Sequence, residues 1–307
     1  MAHAPKNPAN GMRGGVSPSC LALPRMRQSP WPTVLDHLAE RLPAVSRIEW
    51  AERMAQGAVL DEHGQRLSPE SAYVHGGRIY YWRDLPAEQR IPFEAQVRFE
   101  DELLVVADKP HFLPVTPGGR YVRETLLVRL KAQLGCADLS PLHRIDRETA
   151  GLVVLCKRPQ DRHAYQLLFR ERRIHKRYEA VAAASNLPFP LVRRSRIEED
   201  PAQFFRMREA EGEPNSETRI DCLATQGGRA LYGLAPISGK RHQLRVHMQA
   251  LGLPLEGDQF YPVVRRGPEE DEDFQHPLQL LARHLAFTDP VSGQRREFTS
   301  QLQLRWP

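Results

Sequence analysis

Apolar runs divide this chain into strands and helices. Residues 152–155 form an uninterrupted apolar run, which predicts a buried strand. Further along, Leu244, Met248 and Leu251 recur at spacings of four and three, which is the period of one helix face. Gly252 follows directly and predicts the end of that helix.

From residue 98 onward, short strands and helices alternate irregularly. The pattern predicts strands at 103–107, 152–156, 178–183, 220–224, 230–235 and 285–287, and helices at 124–134, 160–172, 241–251 and 277–284. Because some strands follow one another without an intervening helix, the pattern favours a mixed α+β sheet over a regular doubly wound one.

Residues 31–90 read as a smaller α+β unit. Val34, Leu35, Leu38, Leu42 and Val45 give a helical stripe, and Ser46 is placed to cap a second helix that ends at Gly57. Short strands are predicted at 59–60, 73–74 and 79–82, with Gly76-Gly77 as the turn between the last two. Residues 1–30 are rich in proline and glycine, with four basic residues and no acidic one, which predicts a disordered basic tail. An organelle transit peptide and an RNA-contacting arm stay open for this tail.

Charge is unevenly placed along the 307 residues, although the formal net charge is only +5. Acidic residues cluster at 198–200 and 269–273, and basic ones at 170–177, 193–196 and 240–245. Such segregation allows a positive face toward RNA. No apolar run is long enough to span a membrane.

The four cysteines are far apart, and the 12 histidines show no ligand spacing. We therefore expect no metal site and no dependence on an oxidising compartment, and we place the protein in the cytoplasm.

A charged cluster directly before the apolar run at 152–155 carries the first candidate chemistry. Asp146 lies between Arg144 and Arg147, and nearby positive charge should keep its carboxylate ionised. Such a carboxylate can act as a nucleophile or a base, or form one half of a salt-bridged turn.

A second segment, at 236–248, combines a Pro-Ile-Ser-Gly turn with the helix that begins near Arg241. Lys240, Arg241 and Arg245 fall at or near its first turns, where the helix dipole also favours a phosphate.

Together, the two segments resemble the RluA family of RNA pseudouridine synthases. Residues 143–152 follow its His-Arg-Leu-Asp-x-x-Thr-Ser-Gly-Leu signature, and residues 238–247 with 257–261 follow its Thr-Gly-Arg-x-His-Gln-(Ile/Leu)-Arg-x-His and Gly-Asp-x-x-Tyr segments. Weaker matches lie at Lys109-Pro110, at 176–178 and at 280–290. Ile145, Ala150 and Lys240 depart from the family pattern, and the lysine loses the bidentate fork of an arginine.

The resemblance runs from residue 98 to the C-terminus and implies a catalytic domain over 98–307. Its implied fold is a mixed, largely antiparallel central sheet with flanking helices and a central cleft. Residues 31–90 would then be a degenerate S4-like RNA-binding domain or a helical cap.

By this resemblance Asp146 is the catalytic aspartate, Tyr178 lies against the target uracil, and Arg245 pairs with Asp146. The reaction breaks the N1–C1′ bond of a uridine and joins C5 to C1′, so it implies no cofactor. Asp146 could attack C1′ or act as a base in a glycal route.

The resemblance also implies residues that contact the substrate or the RNA. Arg144 would fill the gap left by the extruded uridine. His143 and Thr149 would support the site from behind the residues that contact the substrate. Lys109, Lys240 and Arg241 would contact phosphates. Leu281 is a candidate for the apolar floor under the uracil, but Leu280 and Leu285 compete for that position, and a plain core role is the simpler interpretation of Leu281.

The expected partner is structured RNA, either ribosomal or transfer RNA, and we expect a monomer. The alternatives are a catalytically silent RNA-binding protein on the same fold and a nucleoside hydrolase, which would need a second acidic residue.

Overall fold

The structure is a computed structural model that describes residues 11, 13, 15–83, 88–267, 270 and 273–306. The chain divides between residues 87 and 88 into two compact units. Most of the predicted tail before residue 15 and most of the acidic run at 269–273 lie outside the described residues.

The first unit has two helices and a small antiparallel sheet. The helices are α1 (Val34–Arg41) and α2 (Arg47–Ala55), and the strands β1 (Ser19–Ala22), β2 (Val59–Asp61) and β3 (Arg78–Tyr81) pair in the order β1-β3-β2. Ser46 caps α2 as predicted, by accepting the N–H of Glu49. The apolar stripe of α1 packs with Trp50 and Met54 in the core of this unit.

Two expectations for this unit are wrong. Residues 19–22 lie inside the predicted disordered tail but form β1, because their partner β3 is far away in the sequence and composition cannot reveal it. Residues 73–74 are not a strand, and the partners of β3 are β1 and β2 instead. The Gly76-Gly77 turn exists, but it does not join two strands.

The second unit starts earlier than the predicted residue 98. Glu88 accepts the N–H groups of Val122 and Glu124, both at 2.7 Å, and Ile91 is fully buried in the core beside α3 (Leu126–Leu134). Residues 88–97 therefore belong to this unit, and 88–90 do not belong to the smaller one.

Within the described residues, eleven strands of the second unit form one sheet. They are β4 (Gln96–Glu100), β5 (Leu104–Lys109), β6 (Ser140–Pro141), β7 (Ala150–Cys156), β8 (His175–Ala183), β9 (Leu191–Glu199), β10 (Met207–Ala210), β11 (Ser216–Gln226), β12 (Arg229–Pro236), β13 (Leu280–Thr288) and β14 (Arg295–Thr299). Their order is β10-β9-β11-β12-β8-β13-β7-β5-β4, with β14 on β13 and β6 on β7. The flanking helices are α3, α4 (Arg162–Arg170) and α5 (Gln243–Ala250).

The predicted helix at 277–284 is wrong, because this stretch leads into β13. Its leucines fit a helical period, but β13 pairs with β8 on one side and β7 on the other in the middle of the sheet. Tertiary pairing here overrides a local pattern. The other predicted strands and helices from 98 onward exist, with ends shifted by a few residues.

The pairing of β13 with β7 is parallel, whereas the other strand pairings of the described residues are antiparallel. Gly151 makes this close approach possible. It has φ +111°, and a Cβ there would lie 2.4 Å from the carbonyl oxygen of Ala282. This contact fixes the start of β7, directly after the segment that carries Asp146.

We predict that Gly151→Ala lowers the free energy of unfolding by about 3 kcal/mol or more, because backbone strain and a backbone clash add. Gly135→Ala is the matched control, since Gly135 has φ +62° but no atom within 4 Å of an added Cβ. It should lose about 1 kcal/mol. Urea unfolding measures both, and equal losses would contradict the role given to the Ala282 contact.

Candidate active site

A cleft of about 470 Å³ lies on the second unit. Its walls are the loop between β6 and β7, the C-terminal end of α4, the first half of β8, and the turn from β12 into α5. The sequence-predicted residues among its lining are His143, Arg144, Asp146, Tyr178, Lys240 and Arg245. The resemblance therefore names residues that the fold brings together.

Asp146 lies in the Asp146 loop, defined as residues 142–149 between β6 and β7. Its carbonyl oxygen accepts the N–H of Thr149 at 3.1 Å, and its side chain remains 24% exposed to the cleft. Burial raises the pKa of this carboxyl, Arg245 opposes the rise, and Glu148 adds to it. The expectation that its sequence neighbours lower this pKa is wrong, because burial raises it, Arg144 is exposed and Arg147 binds Glu148.

Arg245 lies beneath Asp146, on the first turn of α5, with its side chain fully buried. Its hydrogen bonds go to Asp258, from Nε to Oδ2 at 2.8 Å and from Nη2 to Oδ1 at 2.6 Å. The remaining nitrogen, Nη1, lies 3.7 Å from Asp146 Oδ2 and 3.6 Å from Glu148 Oε2. The predicted pairing with Asp146 is thus a close electrostatic contact, shared with a second carboxylate.

Asp258 also orders the loop that follows α5. Its Oδ1 accepts the N–H groups of Phe260 and Tyr261, at 2.9 and 3.1 Å. The Tyr261 hydroxyl in turn binds both backbone groups of Met207 on β10. This chain of contacts holds the loop against the sheet.

Glu148 is the buried acid that the sequence analysis missed. Its Oε1 accepts hydrogen bonds from Arg147 Nε and Nη2, at 3.0 and 2.9 Å. Burial opposes ionisation, but Arg147 and Arg245 outweigh it and lower the pKa of Glu148 to about 2. The available signal was its position inside the matched motif, two residues after Asp146.

Tyr178 lies on β8 and faces the same cleft as Asp146. Its strand neighbours are Leu234 on β12 and Ala282 on β13. Burial, with the nearby charge of Asp146, raises the pKa of the Tyr178 hydroxyl. The side chain is therefore a neutral phenol at ordinary pH.

Lys109 is not placed to contact a phosphate. It is fully buried at the end of β5, and its Nζ donates to the carbonyl oxygens of Pro110 and Arg147, at 2.9 and 3.0 Å. Burial lowers its pKa to about 7. Because the Arg147 carbonyl belongs to the Asp146 loop, Lys109 anchors that loop.

His143 lines the cleft but acts on the loop as well. Its ring stacks on Phe169 at a centroid distance of 4.8 Å, and its Nε2 accepts the N–H of Val154 at 3.1 Å. Burial lowers its pKa to about 3, so the ring is neutral. These contacts make His143 a supporting residue of the loop, and its contact with RNA stays a prediction.

Leu281 does not reach the cleft. Its side chain is buried in a cluster with Ala150, Val181 and Leu304, whereas Leu280 lines the cleft. Adjacent residues of a strand point to opposite faces, and the helix predicted for this stretch hid that alternation.

The three other predicted RNA contacts are exposed. Arg144 and Lys240 line the cleft. Arg241 donates from Nη2 to the carbonyl oxygen of Phe204 at 3.2 Å and lies 3.8 Å from Glu199. Arg241 is therefore partly engaged outside the cleft lining.

Gln243 shapes the turn that leads into α5. Its Oε1 accepts from Ser238 Oγ at 2.8 Å and from the N–H of Lys240 at 3.0 Å. Its Nε2 donates to the carbonyl oxygen of Glu217 and to Thr218 Oγ1. A fully bonded amide thus fixes one wall of the cleft.

His242 and His247 are committed to protein contacts. His242 Nδ1 lies 3.0 Å from the Tyr261 hydroxyl, and the two nitrogens of His247 lie within 3.0 Å of Ser195, Ser216 and Thr218 hydroxyls. In the residues that the structure describes, no group of three His, Cys, Asp or Glu side chains could hold a metal ion. None of the helices there has the length and apolar character needed to cross a bilayer.

Comparison with known proteins gives the family. The model of the RNA pseudouridylate synthase family matches residues 103–250. An uncharacterized RNA pseudouridine synthase of Synechocystis sp. is 32% identical over 232 residues, which cover 74% of this chain and 79% of that protein. The chain belongs to the RNA pseudouridine synthase family.

Two further relatives agree with the RluA type. The dual-specificity RNA pseudouridine synthase RluA of Vibrio cholerae is 33% identical over 64% of this chain and 78% of its own length. The ribosomal large subunit pseudouridine synthase D of Neisseria meningitidis is 28% identical over 86% of this chain and 74% of its own length. The protein is thus an isomerase that converts uridine in RNA to pseudouridine, and nothing in these findings favours a silent binding protein.

A solved structure confirms the fold class. Human RNA pseudouridylate synthase domain containing 4 superposes with a TM-score of 0.52 at 27% identity, over 68% of this chain and 88% of that one. The mixed, mostly antiparallel sheet with few helices is therefore that of RNA pseudouridine synthases.

We predict that Glu148→Gln moves the acid limb of activity to lower pH by about one unit, since a like charge near Asp146 disappears and its pKa falls. Asp146 must be ionised for either of the roles that the sequence predicts for it, so we expect activity to be lost as pH falls through that pKa. The pH profile of kcat/KM on RNA measures the shift. Glu148→Asp keeps the charge and should keep the profile; a limb that stays in place or moves upward in Glu148→Gln would contradict the prediction.

Proposed function

We propose that this protein isomerises specific uridines of structured ribosomal or transfer RNA, with Asp146 as the catalytic residue. One observation carries the assignment of the site. Asp146 is exposed to a cleft that Tyr178 also lines, and Nη1 of the fully buried Arg245 lies 3.7 Å from Asp146 Oδ2. The names of the relatives, which include a ribosomal large subunit enzyme, support RNA of the ribosome as substrate.

The chemistry asks for no external reactant, because substrate and product have the same atoms. The N1–C1′ bond breaks, the uracil turns, C5 bonds to C1′, and the proton on C5 is lost while N1 gains one. An ionised Asp146 can attack C1′ and form an ester that C5 then displaces, or it can remove a proton from the sugar. Its raised pKa makes it more basic than an exposed aspartate, which favours either role.

The uridine must leave its helix before C1′ is accessible. We propose that the extruded base lies between Tyr178 and Leu280, both of which face the cleft. Arg144, which is exposed on the Asp146 loop, would then occupy the space that the base leaves. Arg245 stabilises the negative charge of Asp146 without a direct hydrogen bond to it, so the carboxylate oxygens stay free for the substrate.

The first unit is proposed as an S4-like RNA-binding domain. The order of α1, α2, β2 and β3 supports this proposal. Ultraviolet crosslinking of bound RNA, followed by peptide mapping, should find contacts within residues 31–83. Crosslinks confined to the second unit would favour a purely structural role for the first. The monomeric state and the cytoplasmic location stay predictions.

Asp146→Asn should lower pseudouridine formation by roughly 10³-fold or more, because the amide can neither attack C1′ nor take a proton. Unmodified ribosomal and transfer RNA transcripts are incubated with each protein, and pseudouridine is mapped by chemical-adduct sequencing. Asp221→Asn, on β11 outside the cleft lining, is the matched control and should keep full activity. A site formed equally well by Asp146→Asn would refute the assignment.

Tyr178→Phe should lower kcat by about 10²-fold while RNA affinity stays within a factor of two, since ring packing is kept and the hydroxyl is lost. Tyr232→Phe is the control, because the Tyr232 hydroxyl binds the carbonyl oxygen of Ala183 away from the cleft lining. Single-turnover rates and binding titrations separate the two effects. Unchanged kcat in Tyr178→Phe would leave the hydroxyl without a catalytic role.

A further inference from the structure

One edge of the cleft carries cations at alternate positions of the chain. Arg170, Arg172, Ile174, Lys176 and Tyr178 all line the cleft. The intervening residues do not line the cleft. Arg173, for example, is exposed and pairs with Glu171 at 2.9 Å. From Ile174 to Tyr178 the chain is extended or nearly so, which separates side chains on one face by roughly 6.6 Å. Of the three cations only Lys176 lies on this extended stretch, because Arg170 ends α4 and Arg172 lies in the turn that follows it.

The three cations of this edge keep their charge available. Over the part of the chain that the structure describes, neither Arg170, Arg172 nor Lys176 forms an ion pair with a carboxylate or a side-chain hydrogen bond. Other arginines of the second unit are neutralised, such as Arg193 by Glu209 and Arg229 by Glu256. The edge is thus a local excess of positive charge beside the catalytic residues.

Arg172 has a backbone conformation that is unfavourable for arginine. It has φ +58° just beyond the end of α4, in the left-handed region that favours glycine. The N–H of Arg173 donates to the carbonyl oxygen of Leu168 at 2.8 Å, which is the bond of a glycine-type helix end. The corresponding residue at the end of α3 is Gly135, with φ +62°. An arginine kept where glycine fits better points to a use for its side chain.

Lys176 lies deepest on this edge, between the outer arginines and Tyr178. A Cβ added to Gly239 would lie 3.9 Å from its Nζ, so the ammonium faces the backbone of the turn that enters α5. Burial lowers the pKa of Lys176, and no acidic group counteracts that effect. A half-buried ammonium without an acidic partner is costly, and a bound phosphate would supply the missing charge.

We propose that Lys176, Arg172 and Arg170 form a phosphate track, which binds phosphodiesters of the RNA strand that leads away from the target uridine. Lys176 would hold the phosphate nearest the extruded nucleotide, and Arg172 and Arg170 those farther out. The contacts are to the backbone, so this track positions the strand without reading its sequence. The proposal rests on the proposed function, in that it places the uridine beside Tyr178.

The test compares two neutralising substitutions at adjacent residues. Arg172→Gly removes a charge from the track, and Arg173→Ala removes a charge that does not line the cleft. Binding of a fluorescein-labelled oligouridylate and of a labelled tRNA transcript is titrated by anisotropy over a series of NaCl concentrations. Both substitutions are made in the full chain carrying Asp146→Asn, so that no turnover occurs.

Arg172→Gly should weaken binding several-fold and reduce the slope of log Kd against log salt by about 0.7, the value for one lost contact with a single strand. Its melting temperature should stay equal or rise, because glycine suits the backbone there. Arg173→Ala should leave the slope unchanged. Lys176→Gln should reduce the slope by a similar amount and, in the active protein, raise KM more than it lowers kcat.

An equal loss of slope in Arg172→Gly and Arg173→Ala would overturn the track, as would an unchanged slope in Arg172→Gly. These outcomes are independent of the activity assay on the otherwise wild-type chain. If that chain forms pseudouridine while the slopes do not respond, the track fails and the proposed function stands. If the slopes respond but no RNA gains pseudouridine, the proposed function fails and the phosphate-binding track stands.

Discussion

The buried ion pair between Arg245 and Asp258 is the contact on which the candidate site depends. A guanidinium removed from water is costly unless its charge and most of its donors are met inside the protein. Asp258 meets two donors in a bidentate geometry and holds the loop after α5 through backbone N–H groups. The remaining nitrogen of Arg245, Nη1, then points toward Asp146 and Glu148. The electrostatic surroundings of Asp146 therefore depend on the contact that Arg245 makes with Asp258.

The loop that carries Asp146 is held mainly through its backbone. Lys109 binds the carbonyl oxygen of Arg147, and His143 accepts the N–H of Val154 on the following strand. Gly151 then allows β7 to lie against β13 immediately after the loop. These contacts fix the position of the loop and therefore of Asp146. The Asp146 carboxylate itself has no direct hydrogen bond to Arg245. A reacting group that is ordered before the substrate arrives loses little freedom when the reaction begins.

The distribution of charge follows a similar logic. Across the outer strands, arginines and glutamates neutralise each other, as in the pairs Arg193–Glu209 and Arg208–Glu198. Beside the cleft, the three cations of the proposed phosphate track have no such partners in the described residues. A chain with a formal net charge of only +5 can thus concentrate positive charge on one part of its surface. The overall charge is a poor guide to this, because the decisive quantity is which cations lack an acidic neighbour in space.

The sequence by itself determined the fold class, most elements of the second unit and the identity of the central residues, because the motif residues keep their order and local periodicity marks most strands and helices. It misjudged the stretch around Leu280, the strand at 19–22 and the role of Lys109. In each case the partner lies far away in the chain: β8 and β7 for β13, β3 for β1, and the Arg147 carbonyl for Lys109. It also assigned to Asp146 a pKa lowered by its neighbours, whereas burial in the folded cleft raises it. Local patterns report what a residue prefers, but strand pairing and desolvation arise only when distant segments meet, and so the tertiary structure alone decided them.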